Sequence, residues 1–84
     1  MASKTVTVGS GIGLHARPAA LIAAAAANFE DEITISMNGT SVDAASSLLI
    51  MTLGAEVGAE VTVKSTNPEA VELISSMVQA DLDS

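Results

Sequence analysis

Eighty-four residues carrying three basic side chains against ten acidic ones, for a net charge of −7, make an acidic chain with room for one core and not two. That balance excludes a nucleic-acid-binding role, and the absence of cysteine excludes disulfides and thiolate metal sites. With one Phe and neither Trp nor Tyr, the core must be built from Val, Ile, Leu, Met and Ala, in a chain whose length lets it bury only about 60–65% of its unfolded surface.

No stretch reaches the roughly 18 apolar residues of a membrane span. No signal-peptide pattern precedes the first β-patterned run either. The protein is therefore expected in the cytoplasm, which a cysteine-free composition also suits, without membrane insertion.

Val6 and Val8 alternate with Thr5 and Thr7, the period-2 mark of a half-buried strand. A loop with Gly9, Gly11 and Gly13 follows, slim enough for a close approach and able to take positive φ. The alanine-rich run over residues 16–28 reads as a helix with Leu21, Ile22, Ala25, Ala26 and Phe29 on its apolar face, although alanine blurs that face. Glu30 and Asp31 make a solvated turn.

Ile33, Ile35 and Met37 alternate with polar residues as a second strand, and Asn38-Gly39 is the pair that a two-residue hairpin prefers. Thr40 to Asp43 returns as a short third strand with Val42 facing in. Ser46 can cap a short helix over residues 47–53, which Gly54 ends. Gly58 turns the chain into a fourth strand around Val61 and Val63. Asn67-Pro68-Glu69 is a helix start (cap, proline, acid), and Val71, Ile74, Met77 and Val78 supply its apolar stripe. The order βαββαβα predicts an α+β domain over residues 1–84, with a four-stranded antiparallel sheet covered on one face by helices.

The only histidine and the only arginine sit together where the first helix begins. Pro18 fits a first turn, where its missing N–H has no partner to lose. His15 then stands at a helix N-terminus, where free N–H groups and the macrodipole favour an anion such as phosphate. Arg17 adds a planar fork shaped for phosphate oxygens. Read on these features alone, His15 is either a phosphoryl acceptor or an incidental surface histidine, and Arg17 either its helper or an ordinary surface cation.

Gly13-Leu14-His15-Ala16-Arg17-Pro18-Ala19-Ala20 resembles the active-site signature of the histidine-containing phosphocarrier proteins, the HPr family of the bacterial phosphoenolpyruvate-dependent sugar phosphotransferase system. The resemblance runs from Lys4 to about Leu82 and takes in Asn38-Gly39, residues 46–54 and Gly58-Ala59-Glu60. It implies an open-faced β-sandwich of four strands and three helices. It further implies that His15 accepts a phosphoryl group, through Nδ1, from phosphorylated Enzyme I and gives it to the A domain of a sugar-specific enzyme II. The Ala16 and Arg17 N–H groups and the Arg17 guanidinium would bind the phosphate. Such a protein is a carrier, inert without its partners, expected as a monomer and needing no cofactor.

The same resemblance marks Ala16, Ala20, Leu48, Leu49 and Met51 as a partner-binding surface. Ser46 becomes a site for a regulatory serine kinase, against its plainer role as an N-cap; Ser47, where relatives with that kinase usually have a large apolar residue, departs from the pattern. So do Ala24, Ala27 and Leu49, at positions where many relatives carry lysines. Two other classes stay open: a regulatory protein-binding module acting through Leu48, Met51 and Ser46, and a self-contained histidine hydrolase, for which the motif offers no second acid or base. A carrier for a nitrogen-related phosphotransferase branch is a further alternative.

Other chemistries fail on spacing. Gly9-Ser10-Gly11-Ile12-Gly13 is not a dinucleotide fingerprint, and the chain is too short for a doubly wound sheet. One histidine without cysteine makes no zinc site, Glu30-Asp31-Glu32 has no calcium-loop spacing, and there is no Gly-x-Ser-x-Gly elbow.

Overall fold

The computed structural model describes residues 1–11 and 13–80; Leu82, where the family resemblance ends, lies outside them. Four strands and three helices follow in the order β1 (Ala2–Thr7), α1 (Ala16–Ala26), β2 (Ile33–Met37), β3 (Thr40–Asp43), α2 (Ser47–Thr52), β4 (Glu60–Ser65) and α3 (Pro68–Gln79). The strands form one antiparallel sheet in the order β1-β4-β2-β3. This is the α+β, βαββαβα architecture expected from the sequence.

Register sorts the side chains. Val6 pairs with Val61, and Ile35 stands between Val63 and Val42, so the branched aliphatics share the face that meets the helices. On the open face the same register lines up Thr5, Thr62, Ser36 and Ser41 across all four strands. Thr5 and Thr62 share a hydrogen bond between their hydroxyls at 2.9 Å. One face therefore excludes water and the other tolerates it, as the alternation requires. Ile22, Ile35, Ile50 and Ile74 are fully buried where the sheet and helices meet, and truncating any of them to Ala should cost about 2–5 kcal/mol.

The caps and turns act as their residues predict. Asn38 and Gly39 both take positive φ, 52° and 84°, the backbone that twists β2 into β3 without splaying them. Ser46 caps α2 by accepting the Leu49 N–H at 3.3 Å, and Asn67 caps α3 by accepting the Glu69 N–H at 3.0 Å. Gly54 and Gly58 take φ of 67° and 86° where the chain leaves α2 and turns into β4.

Three expectations need correction. β1 starts at Ala2 rather than Thr5, because β4 offers it pairing partners from Glu60 to Ser65. α1 stops at Ala26, and its buried face is Pro18, Ala19, Ile22, Ala23 and Ala26. Leu21 is 43% exposed. In a run of alanines the buried stripe is set by what the sheet presents, so the larger side chain need not mark it.

Candidate functional site

The site is built by a loop and a helix start. Leu14 is buried in the core, whereas His15, next along, is exposed. His15 is the N-cap of α1, with extended backbone (φ −86°, ψ −165°); its C=O accepts the Ala19 N–H at 2.9 Å while its imidazole makes no capping hydrogen bond. The ring is left available for chemistry. Pro18 is buried at the third helical position, so the outward-pointing amides of this turn belong to Ala16 and Arg17. Neither amide is bonded among the described residues. With no acidic side chain in the first turn, nothing there offsets the positive end of the helix dipole.

Arg17 is exposed, and the ion pair found among the described residues is Lys4–Glu72, elsewhere on the molecule. Its guanidinium is therefore held by no carboxylate among those residues. One imidazole, two amides and one guanidinium thus belong to a single helix start, and these are donors of the kind that suit an anion such as phosphate.

The loop before His15 is fastened on two sides. Gly13 takes φ 78°, and a Cβ there would stand 2.5 Å from the Ala55 carbonyl oxygen, which accepts the Leu14 N–H at 2.9 Å. Gly9 does not take positive φ; it is needed because the backbone of Gln79 fills the space a side chain would occupy. Gly11 has neither feature. Of the three loop glycines, then, one serves for its dihedral, one for its missing Cβ, and the third for nothing visible here. The contact between Gly9 and α3 spans most of the chain, and no local pattern announces it.

α2 packs against α1. Leu48 is 66% and Leu49 41% exposed, whereas Ile50 between Leu49 and the half-buried Met51 is in the core. Ala16 and Ala20, one turn apart on α1, are exposed as well. The structure thus puts the five expected docking residues on two adjoining helices, four of them exposed and Met51 partly so. Ser46 is half-buried and already engaged as the α2 cap.

A cavity of about 350 Å³ lies elsewhere, past the C-terminal end of α1, lined among others by Phe29, Glu30, Asp31 and Asp43. His15 is at the opposite end of that helix, on the surface. An exposed site suits a group that must be handed on rather than enclosed. No group of three or more His, Cys, Asp or Glu side chains converges among the described residues, and no helix there is long and apolar enough to cross a membrane.

The comparisons fit this geometry. A family model described as "PTS HPr component phosphorylation site" matches residues 2–80. The chain is 33% identical over 78 residues to the phosphocarrier protein HPr of Cupriavidus necator, covering 93% of this chain and 88% of the relative. It is 37% identical over 78 residues to that of Vibrio cholerae, covering 93% and 92%. The crystal structure of HPr from Bacillus anthracis superposes with a TM-score of 0.87 at 36% identity, over 93% of this chain and 96% of the other. Fold and matches together define a phosphoryl carrier of the open-faced sandwich type. The chain belongs to the HPr family of the phosphotransferase system, and like its relatives it is a component of a relay and not an enzyme in its own right.

Proposed function

We propose that His15 is the residue that carries the phosphoryl group, taken from phosphorylated Enzyme I and passed to the A domain of a sugar-specific enzyme II. The observation that carries this reading is an imidazole at the start of α1, exposed and making no cap hydrogen bond, beside two amides unpaired among the described residues.

As the P–N bond of the donor's phosphohistidine breaks and its electron pair returns to the donor's ring, a P–N bond forms to the lone pair of a His15 ring nitrogen, Nδ1 by family resemblance. The transition state is loose and spreads charge over three equatorial oxygens, so the protein's task is placement and electrostatic support. The Ala16 and Arg17 amides and the Arg17 guanidinium supply both. The second transfer reverses the roles, and the same donors must release the group; exposure of the site supports this, because each partner completes an environment the carrier leaves open.

Docking uses Ala16, Ala20, Leu48, Leu49 and Met51, which cover apolar area around the histidine and exclude water during transfer. The carrier works as a monomeric single domain in the cytoplasm, without metal or cofactor.

The relay is tested by loading the protein with labelled phosphoenolpyruvate and Enzyme I, removing the donor, and chasing with purified A domains. Label should pass to the A domain of a sugar-specific enzyme II within seconds. Label that moves only to the A domain of a nitrogen-related branch assigns the protein to that branch, and label lost to water without an acceptor marks a hydrolase.

A further inference from the structure

The carbonyls in the last turn of a helix have no partner within it. At the end of α3 the Ser76 carbonyl is met by the Ala80 N–H at 3.1 Å, as in an ordinary helix end. The Val78 carbonyl is met differently, by the Gly9 N–H at 3.0 Å, and the Ala80 carbonyl accepts the Ser10 hydroxyl at 3.4 Å. Part of the cap of α3 thus comes from the loop that leads to His15, some seventy residues earlier in the chain.

This seat has no slack. A Cβ on Gly9 would overlap the Gln79 carbonyl oxygen and stand 2.7 Å from its carbon, and these are backbone atoms that cannot swing aside as a flexible side chain does. Ser10 is fully buried. From there the path to the histidine is short: the Ser10 carbonyl accepts the Gly13 N–H at 2.9 Å, and the Leu14 N–H reaches Ala55 at 2.9 Å. The His15 side chain makes no cap bond, so the backbone of this loop sets where the ring is attached and what it can reach.

We propose that Gly9 and Ser10 are positioning residues for phosphoryl transfer at His15, acting through the capped end of α3. The proposal rests on His15 as the phosphoryl acceptor. A loose transition state gains from placement more than from covalent help, so a loop that shifts by a fraction of an ångström slows transfer without weakening the encounter. Gly9→Ala drives the loop and α3 apart. Ser10→Ala removes the hydroxyl that donates to the Ala80 carbonyl.

The test is single-turnover transfer from phosphorylated Enzyme I, followed by rapid quench over a range of donor concentrations, so that the maximal rate and the half-saturating concentration separate. A third variant, Ile35→Val, lowers stability from the sheet core, away from the loop. The expected result is a maximal rate reduced about tenfold in Gly9→Ala and severalfold in Ser10→Ala, with half-saturation unchanged within about twofold, while Ile35→Val transfers at the wild-type rate. The amide resonances of Ala16 and Arg17 should move in the two loop variants and stay in place in Ile35→Val. If Gly9→Ala does not fold, Ser10→Ala alone decides. A maximal rate equal to wild type in the loop variants, or one lowered just as much in Ile35→Val, overturns the proposal. A wild-type protein that takes no label at all overturns the carrier reading instead, and this proposal with it.

Discussion

Arg17 stands two residues past the histidine on the same helical turn, exposed and with no carboxylate partner among the described residues. A surface cation that stabilised the fold would be paired or packed, which favours the proposed role of Arg17 at the phosphate. Arg17→Lys keeps the charge but loses the planar fork. Transfer should slow by about tenfold, since a single lost donor to a developing anion is costly. The melting temperature should stay within a degree or so, because an exposed side chain without partners changes stability little. Rapid-quench kinetics and a thermal melt on the same preparation check both halves, and equal transfer rates would remove Arg17 from the phosphate site. At this scale the sequence was readable because histidine, arginine and proline fall within four consecutive positions. The close approach expected of the loop glycines was readable, but the partners of Gly9 and Ser10 were not, since they are backbone carbonyls at the end of α3 and its cap, far along the chain.

The short helix α2 is capped by Ser46, the residue that the family resemblance also marks as a regulatory site. The Ser46 hydroxyl accepts the Leu49 N–H, so Ser46→Ala should cost about 1 kcal/mol in chemical denaturation. Ser46→Asp keeps the cap and adds a charge beside the exposed Leu48 and Leu49, an area that partner binding would have to desolvate. Its affinity for Enzyme I should fall severalfold while its stability is held. Calorimetric titration giving wild-type affinity for Ser46→Asp would place the docking surface away from α2, and would also argue against regulation by a serine kinase. α2, α3 and the hairpin were legible from caps and turn residues because those signals are local. The buried face of α1 was not, because alanine carries little information about which side meets a sheet, and the true start of β1 depends on a partner strand distant in sequence.

Charge is distributed unevenly over the whole molecule. The exposed surface of α1 and α2, from Ala16 and Ala20 through Ala24 to Leu48 and Leu49, bears one charged group, Arg17. The carboxylates among the described residues lie elsewhere, on the turn at 30–32, at Asp43, Glu56 and Glu60, and on α3. With a net charge of −7 overall, the molecule offers an acidic partner no long-range attraction. The proposed docking through Ala16, Ala20, Leu48, Leu49 and Met51 therefore relies on apolar contact, and fields are screened within about 8 Å at physiological salt. Association with its own Enzyme I should therefore change less than about threefold between low and moderate ionic strength in stopped-flow measurements. A steep fall with salt would mean that charges govern the encounter after all. All of this presupposes that the phosphoryl group sits on His15. The most direct check is to incubate the wild type and His15→Ala with labelled phosphoenolpyruvate and Enzyme I, and to follow the label on each protein before and after acid treatment. Acid-labile label on the wild type and none on a folded His15→Ala is the predicted result; label on His15→Ala at the wild-type level would contradict it.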